Sequence, residues 1–236
     1  MSTIYLIRHG QASFGKGDYD KLSEKGVVQS RITGEFLIET GVIFDRIYTG
    51  TMVRHLETFN EYADILKANS LAGPETSNTP DLNEYDSKQI LTTLVPELID
   101  ESDSWKEHLS KIYTDKKSFQ LIFEETLARW TAGRYKNTGI ATWNEYLSRV
   151  NRSIDDILKN HGRGKNIAVF TSGGTIAAFI RRALNLSNED TLRATWQIVN
   201  CSITRFKCTE TSLMMATFNE HGHLEICKEK NMITYR

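Results

Sequence analysis

Ile4-Tyr5-Leu6-Ile7-Arg8-His9-Gly10-Gln11 is the stretch that decides how this chain is read. Its four apolar residues make a short run of the kind that becomes a buried strand, and Gly10 marks the turn at its end. A guanidinium and an imidazole therefore stand side by side where the first strand stops. In an open α/β sheet, ligands bind outside the carboxyl ends of the strands. Arginine grips phosphate in bidentate fashion, and histidine is a nucleophile or proton carrier near neutral pH. The pair points to chemistry on a phosphoryl group; the plainer alternative is a strand that happens to end in basic residues.

Working outward, residues 23–40 read as a helix. Ser23 caps its start, Val28, Ile32 and Phe36 recur every four residues, and Gly41 closes it. Asp45–Thr49 reads as a second strand, completing a βαβ unit. A second helix follows, with Thr51 as its cap and Met52, Leu56, Phe59, Ala63 and Leu66 on one face. Residues 69–80 read as a loop, and Asp81–Glu84 as a short third strand or strand edge. From about 86 to 162 the pattern turns charged, aromatic-rich and helical in period, as expected of an insertion lying over the sheet. Its best helix spans 141–160, and its aromatics, among them Trp105, Trp130, Trp143 and Tyr146, read as packing residues. Ile167–Phe170 is a buried strand running into Thr171-Ser172-Gly173-Gly174, with a helix over Thr175–Leu184. Ile198–Cys208, Ser212–Asn219 and Leu224–Lys228 read as final strands, the last two antiparallel across a turn at Glu220–His223. The expected fold class is α/β: a mostly parallel central sheet flanked by helices, a helical insertion over the carboxyl ends of the strands, and an antiparallel C-terminal strand pair. Residues 1–236 read as a single domain.

With 29 Lys and Arg against 30 Asp and Glu, interspersed, the chain carries no general attraction for nucleic acid or an anionic membrane. It shows no leading signal segment and no apolar run of roughly 18 residues, the span of a bilayer. Cys201, Cys208 and Cys227 show no CxxC spacing and read as strand thiols, which fits a reducing, cytoplasmic setting. His108 and His161 read as solvated or partly packed, and His221 and His223 as turn residues rather than metal ligands.

Candidate groups fall at four strand ends: Arg8 and His9, then Arg54 one turn into the second helix, then Glu84, then Ser172-Gly173-Gly174. Parallel neighbouring strands would bring them to one crevice, where the helix starting near Gly174 aims its N–H groups at an anion. No Walker-type glycine loop is present, and the carboxylates are too dispersed for a metal cage. In these blocks the sequence resembles the histidine phosphatase (phosphoglycerate mutase-like) superfamily. They are Ile-Arg-His-Gly-Gln at 7–11, Leu-Ser-Glu-Lys-Gly-Val-Val-Gln at 22–29, Thr-Gly-Thr-Met-Val-Arg-His-Leu-Glu-Thr at 49–58, Leu-Asn-Glu-Tyr-Asp at 82–86 and Val-Phe-Thr-Ser-Gly-Gly-Thr-Ile at 169–176. The resemblance implies a metal-independent phosphomonoesterase that needs no cofactor. His9 would become a phosphohistidine, Arg8 and Arg54 would clamp the phosphoryl oxygens, and Glu84 would serve as acid and base, with Asp86 as an alternative acid. Gln11, Ser172, Gly173 and His55 complete the expected substrate pocket.

Where the family has a second histidine, this chain has Ser172. A hydroxyl gives one shorter, uncharged donor, and loss of one preorganised donor costs about 10²–10³ in rate. The expectation is a slower phosphatase; the alternative is a phosphate- or phosphoprotein-binding protein with an impaired site. His55 is a candidate to replace the missing donor in part. Mutase activity is not expected, because the second histidine would hold the intermediate. The substrate that the resemblance implies is a small phosphorylated metabolite or a phosphoprotein. Specificity is expected in residues 86–162 and in the loop Phe14–Tyr19, with Lys16, Lys106, Lys111, Lys116 and Lys117 as candidates for a further anionic group. Sequence leaves the oligomeric state open.

Overall fold

In the computed structural model, which describes residues 1–13, 20–112, 114–136, 139–161 and 163–235, the opening run forms β1 (Ser2–Arg8). Period-two alternation sends its side chains to opposite faces. Ile4 and Leu6 join one core, and Ile7 joins another with Leu37, Ile47, Tyr62 and Phe170. The second core is closed by α1 (Glu24–Glu39) and α2 (Val53–Ala68), which flank β2 (Arg46–Thr49) in sequence. Ser23 caps α1 as expected, accepting from Gly26 N, and Gly41 follows the helix at φ +70°.

The next strand differs from expectation. It is β3 (Glu75–Asn78), inside the stretch read as loop, whereas 80–82 form a turn of 3-10 helix and Glu84 lies beyond it. β3 is a short polar edge strand with no apolar alternation to announce it, held by its ladder to β2. The charged segment supplies α3 (Ser87–Glu101), α4 (Asp103–Ser110), α5 (Lys116–Ala132) and α6 (Trp143–Lys159). A capping box between Thr142 and Glu145 opens α6, whose apolar stripe includes Leu147, Val150, Ile154 and Leu158. Those residues and the inner face of α7 (Gly173–Leu184) build the first core; α7 follows β4 (Asn166–Thr171).

α8 (Asn188–Gln197), largely polar and not anticipated, starts at the cap Ser187. β5 (Ile203–Cys208) and β6 (Leu213–Glu220) are the antiparallel closing pair. Leu224–Lys228 is therefore not a strand: residues 222–225 form a helical turn, and Leu224 is spent on a small core with Val199, Cys201 and Met232. Cys208 is the strand thiol expected, while Cys201 precedes β5 and Cys227 lies outside any strand.

The strand order is β3-β2-β4-β1-β5-β6, with β1, β2, β3 and β4 mutually parallel where they pair. β1 and β4 are in register, Arg8 opposite Thr171. Residues 9 and 172 therefore leave the sheet side by side at its carboxyl edge, with the loop after β2 next to them.

Candidate active site

Gly10 allows the chain to turn immediately after His9. A Cβ there would lie 2.4 Å from Gly26 O, so only glycine fits against α1. The turn brings Gly10 O to 2.7 Å from His9 Nδ1. A carbonyl only accepts, so Nδ1 carries the proton and Nε2 keeps its lone pair. Nε2 accepts from Arg54 Nε at 3.2 Å. His9 is 6% exposed, and burial, then the charges of Arg54 and Arg8, hold its pKa well below the usual histidine value. The ring is thus uncharged, with the Nε2 lone pair on the side of Arg54. Asn200 donates to His9 O at 3.0 Å and fixes the backbone.

Arg54 and His55 occupy consecutive positions of α2 and so point about 100° apart. Arg54 lines the cleft and pairs with Asp20, Nη1 to Oδ1, at 2.6 Å. The other oxygen of Asp20 accepts from Val53 N at 2.8 Å. This carboxylate does the capping that sequence assigned to Thr51, which instead exchanges hydrogen bonds with Asn83. His55 turns inward, fully buried, and its Nε2 lies 2.6 Å from Ser172 Oγ. Its ring centroid is 5.6 Å from that of His9, and burial lowers its pKa well below the usual value.

Arg8 lines the cleft and donates through Nη2 to Tyr235 O at 2.8 Å and through Nη1 to Ile198 O. Glu84 also lines it. Its Oε2 accepts from Gly174 N at 2.9 Å and its Oε1 from Tyr146 OH at 3.2 Å. The N-terminus of α7, read as an anion site, is thus occupied by the chain's own carboxylate. Any Cβ at Gly174 would sit 2.2 Å from Glu84 Oε1. Gly173 reaches the cleft wall as well. Asp86 caps α3 through Gln89 N and is exposed.

The structure therefore brings Arg8, His9, Arg54, Glu84 and Gly173 to one cleft. Ser172 and His55 lie behind His9 and are not among the described lining residues. Gln11 is turned away: its Oε1 accepts from Ser23 Oγ at 3.0 Å, which ties it to the start of α1 instead of the pocket. Asp20, Asn200 and Tyr146 belong to the site but carried no sequence signal, because each meets its partner across a long chain separation; Tyr146 read simply as a packing aromatic. Lys16, with the whole loop Phe14–Tyr19, and the side chain of Lys116 lie outside the described residues. Lys106 and Lys111 pair with Asp103 and Glu107 on α4. Among the described residues no three His, Cys, Asp or Glu side chains are grouped to hold a metal ion, and no helix is long and apolar enough to cross a membrane.

The chain is 26% identical, over 80% of its length and 84% of the relative's, to a 2,3-bisphosphoglycerate-dependent phosphoglycerate mutase of Bartonella henselae. Its fold is similar to that of the phosphoglycerate mutase of Bacillus anthracis (TM-score 0.63, 17% identity, 95% of each chain covered). It is also similar to the phosphoserine phosphatase of Entamoeba histolytica, solved with 3-phosphoglyceric acid (TM-score 0.61, 18% identity, 95% of this chain and 100% of that one). The sequence profile of the histidine phosphatase superfamily (branch 1) matches residues 4–221, nearly the whole length, and the chain belongs to that superfamily.

Proposed function

We propose that the protein hydrolyses phosphomonoesters through a phosphohistidine at His9. The observation that carries this reading is the state of the His9 ring. It is buried, protonated on Nδ1 by its bond to Gly10 O, and offers Nε2 toward Arg54 in a cleft that Glu84 also lines. An arriving phosphoryl group takes over Arg54 as its ligand and frees the Nε2 lone pair. That lone pair attacks phosphorus, the ester P–O bond breaks, and Glu84 in its acid form protonates the departing oxygen. Glu84 then removes a proton from water, whose oxygen attacks phosphorus. The N–P bond breaks and inorganic phosphate leaves. Arg8 and Arg54 balance the charge on the phosphoryl oxygens throughout. His55 supplies, through the Ser172 hydroxyl, an imidazole close to the place where the family keeps its second histidine.

A second reading, a phosphate- or phosphoprotein-binding protein with slow or absent turnover, is favoured by Ser172 alone. Steady-state hydrolysis of p-nitrophenyl phosphate by the wild type and by His9→Ala separates the two. The first reading expects turnover that disappears with His9. Turnover that survives the substitution would remove the covalent route, and phosphate binding without turnover would favour the binding protein.

A further inference from the structure

Glu84 has no regular backbone structure of its own. It lies between the 3-10 turn that ends at Leu82 and α3, which begins at Ser87, so neither a strand ladder nor a helix fixes its main chain. A general acid must nevertheless be held within about 0.5 Å of its working position. Side chains do here what a ladder does elsewhere, by taking up the carbonyls of the turn. Thr171 Oγ1 donates to Leu82 O at 2.6 Å, and Thr175 Oγ1 lies 3.2 Å from Asn83 O. Arg149 donates through Nη2 to Asn83 O at 3.1 Å and through Nη1 to Pro80 O. The first two come from β4 and α7, and Arg149 comes from α6.

Arg149 follows Tyr146 by three residues, so both stand on one face of α6, and the guanidinium lies 5.1 Å from the centre of the Tyr146 ring. The ring is buried against Tyr85, Trp130 and Trp143, which fixes the direction of its hydroxyl. That hydroxyl meets Glu84 Oε1 at 3.2 Å and Thr175 Oγ1 at 3.1 Å. Burial, then the charge of Glu84, push it well above the ordinary tyrosine value, so it keeps its proton and remains a donor.

The carboxylate also accepts from Gly174 N on Oε2 and from Tyr85 N on Oε1, backbone donors that cannot turn away. The Tyr146 proton can. Thr175 Oγ1 reaches the carbonyls of Leu82 at 3.4 Å and Asn83 at 3.2 Å, to which it can only donate, so its lone pairs stay open to Tyr146. One hydrogen thus serves Oε1 while Glu84 is ionised and turns to Thr175 once Glu84 takes up a proton. An acid that must alternate with its conjugate base needs a neighbour suited to both states.

We propose that Tyr146 is a positioning residue for the general acid: its hydroxyl, backed by Thr175, holds the Glu84 carboxylate at the cleft and yields when that carboxylate is protonated, while Arg149 fixes the turn that carries it. The inference rests on the phosphatase reading and on Glu84 as its acid. It gives α6 a part in proton transfer beyond packing.

The test compares two esters. Tyr146→Phe removes the hydroxyl and keeps the ring among its aromatic neighbours. Its kcat/KM should fall about tenfold more for ethyl phosphate, which needs the acid, than for p-nitrophenyl phosphate, a part of the 10²–10⁴ that general acid catalysis is worth. In a Glu84→Gln background the same substitution should leave the ratio of the two esters where Glu84→Gln put it, because a group that acts through another adds nothing once that other is gone. Arg149→Met, which keeps the stem and loses the donors, should show the same preference for harming the alkyl ester. Equal losses on both esters in Tyr146→Phe, or a further selective loss in the Glu84→Gln background, would overturn the inference and leave the phosphatase reading standing. If the wild type turns over neither ester, the phosphatase reading fails and takes the inference with it.

Discussion

Glu84 is the site residue whose role can be isolated most cleanly, because an acid matters only to a leaving group that needs a proton. Replacing it by Gln keeps the shape and removes the transferable proton. For ethyl phosphate, whose alkoxide is a poor leaving group, kcat/KM should fall by about 10²–10⁴, the usual worth of general acid catalysis. For p-nitrophenyl phosphate, whose phenolate leaves unaided, kcat/KM should change little, since that quantity reports only events up to alcohol release. Geometry provides a second handle without touching the carboxyl group. In Gly174→Ala the new Cβ would stand 2.2 Å from Oε1 and push the side chain off Gly174 N. Loss of a hydrogen bond to a charged acceptor costs about 1.5–3 kcal/mol. Alanine in the helix returns about 1 kcal/mol. Net destabilisation of about 0.5–2 kcal/mol, read by urea unfolding, should therefore accompany a selective loss on the alkyl ester. Equal losses on both esters, in either variant, would refute Glu84 as the acid and turn attention to Asp86.

Three further outcomes follow from other contacts. His55→Ala and Ser172→Ala should lower kcat/KM by a similar factor, up to about 10², and the double variant no further; unchanged turnover in His55→Ala would rule out a compensating imidazole. Asp20→Asn keeps an acceptor for Val53 N but removes the anion that competes for Arg54, so inorganic phosphate should inhibit roughly fivefold more tightly, about 1 kcal/mol; an unchanged or weaker inhibition constant contradicts this. Burial lowers the pKa of His223 from 6.5 to about 4. Below pH 6.5 the unfolded chain gains a proton that the folded one refuses, so stability declines as pH falls from about 6.5 to about 4, by up to about 3 kcal/mol from this residue. Urea unfolding of His223→Gln across that window should show a shallower decline, although His9 and His55, also depressed, act in the same direction.

The chain's own order determined the parallel core and most of the helices, because apolar period and capping are local: Ile4–Ile7, Ser23 and the Thr142–Glu145 box each act within a few residues. The same locality explains the errors. β3 is polar because an edge strand is stabilised by backbone pairing with β2, and Leu224 is apolar for packing against Val199 and Met232, not for a strand. Arg8, His9 and Arg54 could be brought together from sequence since strand ends in a parallel sheet converge, whereas Glu84, expected at the end of a third strand, reaches the cleft from beyond the 3-10 turn. Which partners they actually meet was settled by tertiary structure alone. Asp20 on Arg54, Glu84 on the N-terminus of α7, Gln11 on Ser23 and His55 behind Ser172 are contacts between distant segments. Side-chain direction after a turn, and the competition of several acceptors for one donor, are fixed only when those segments pack together.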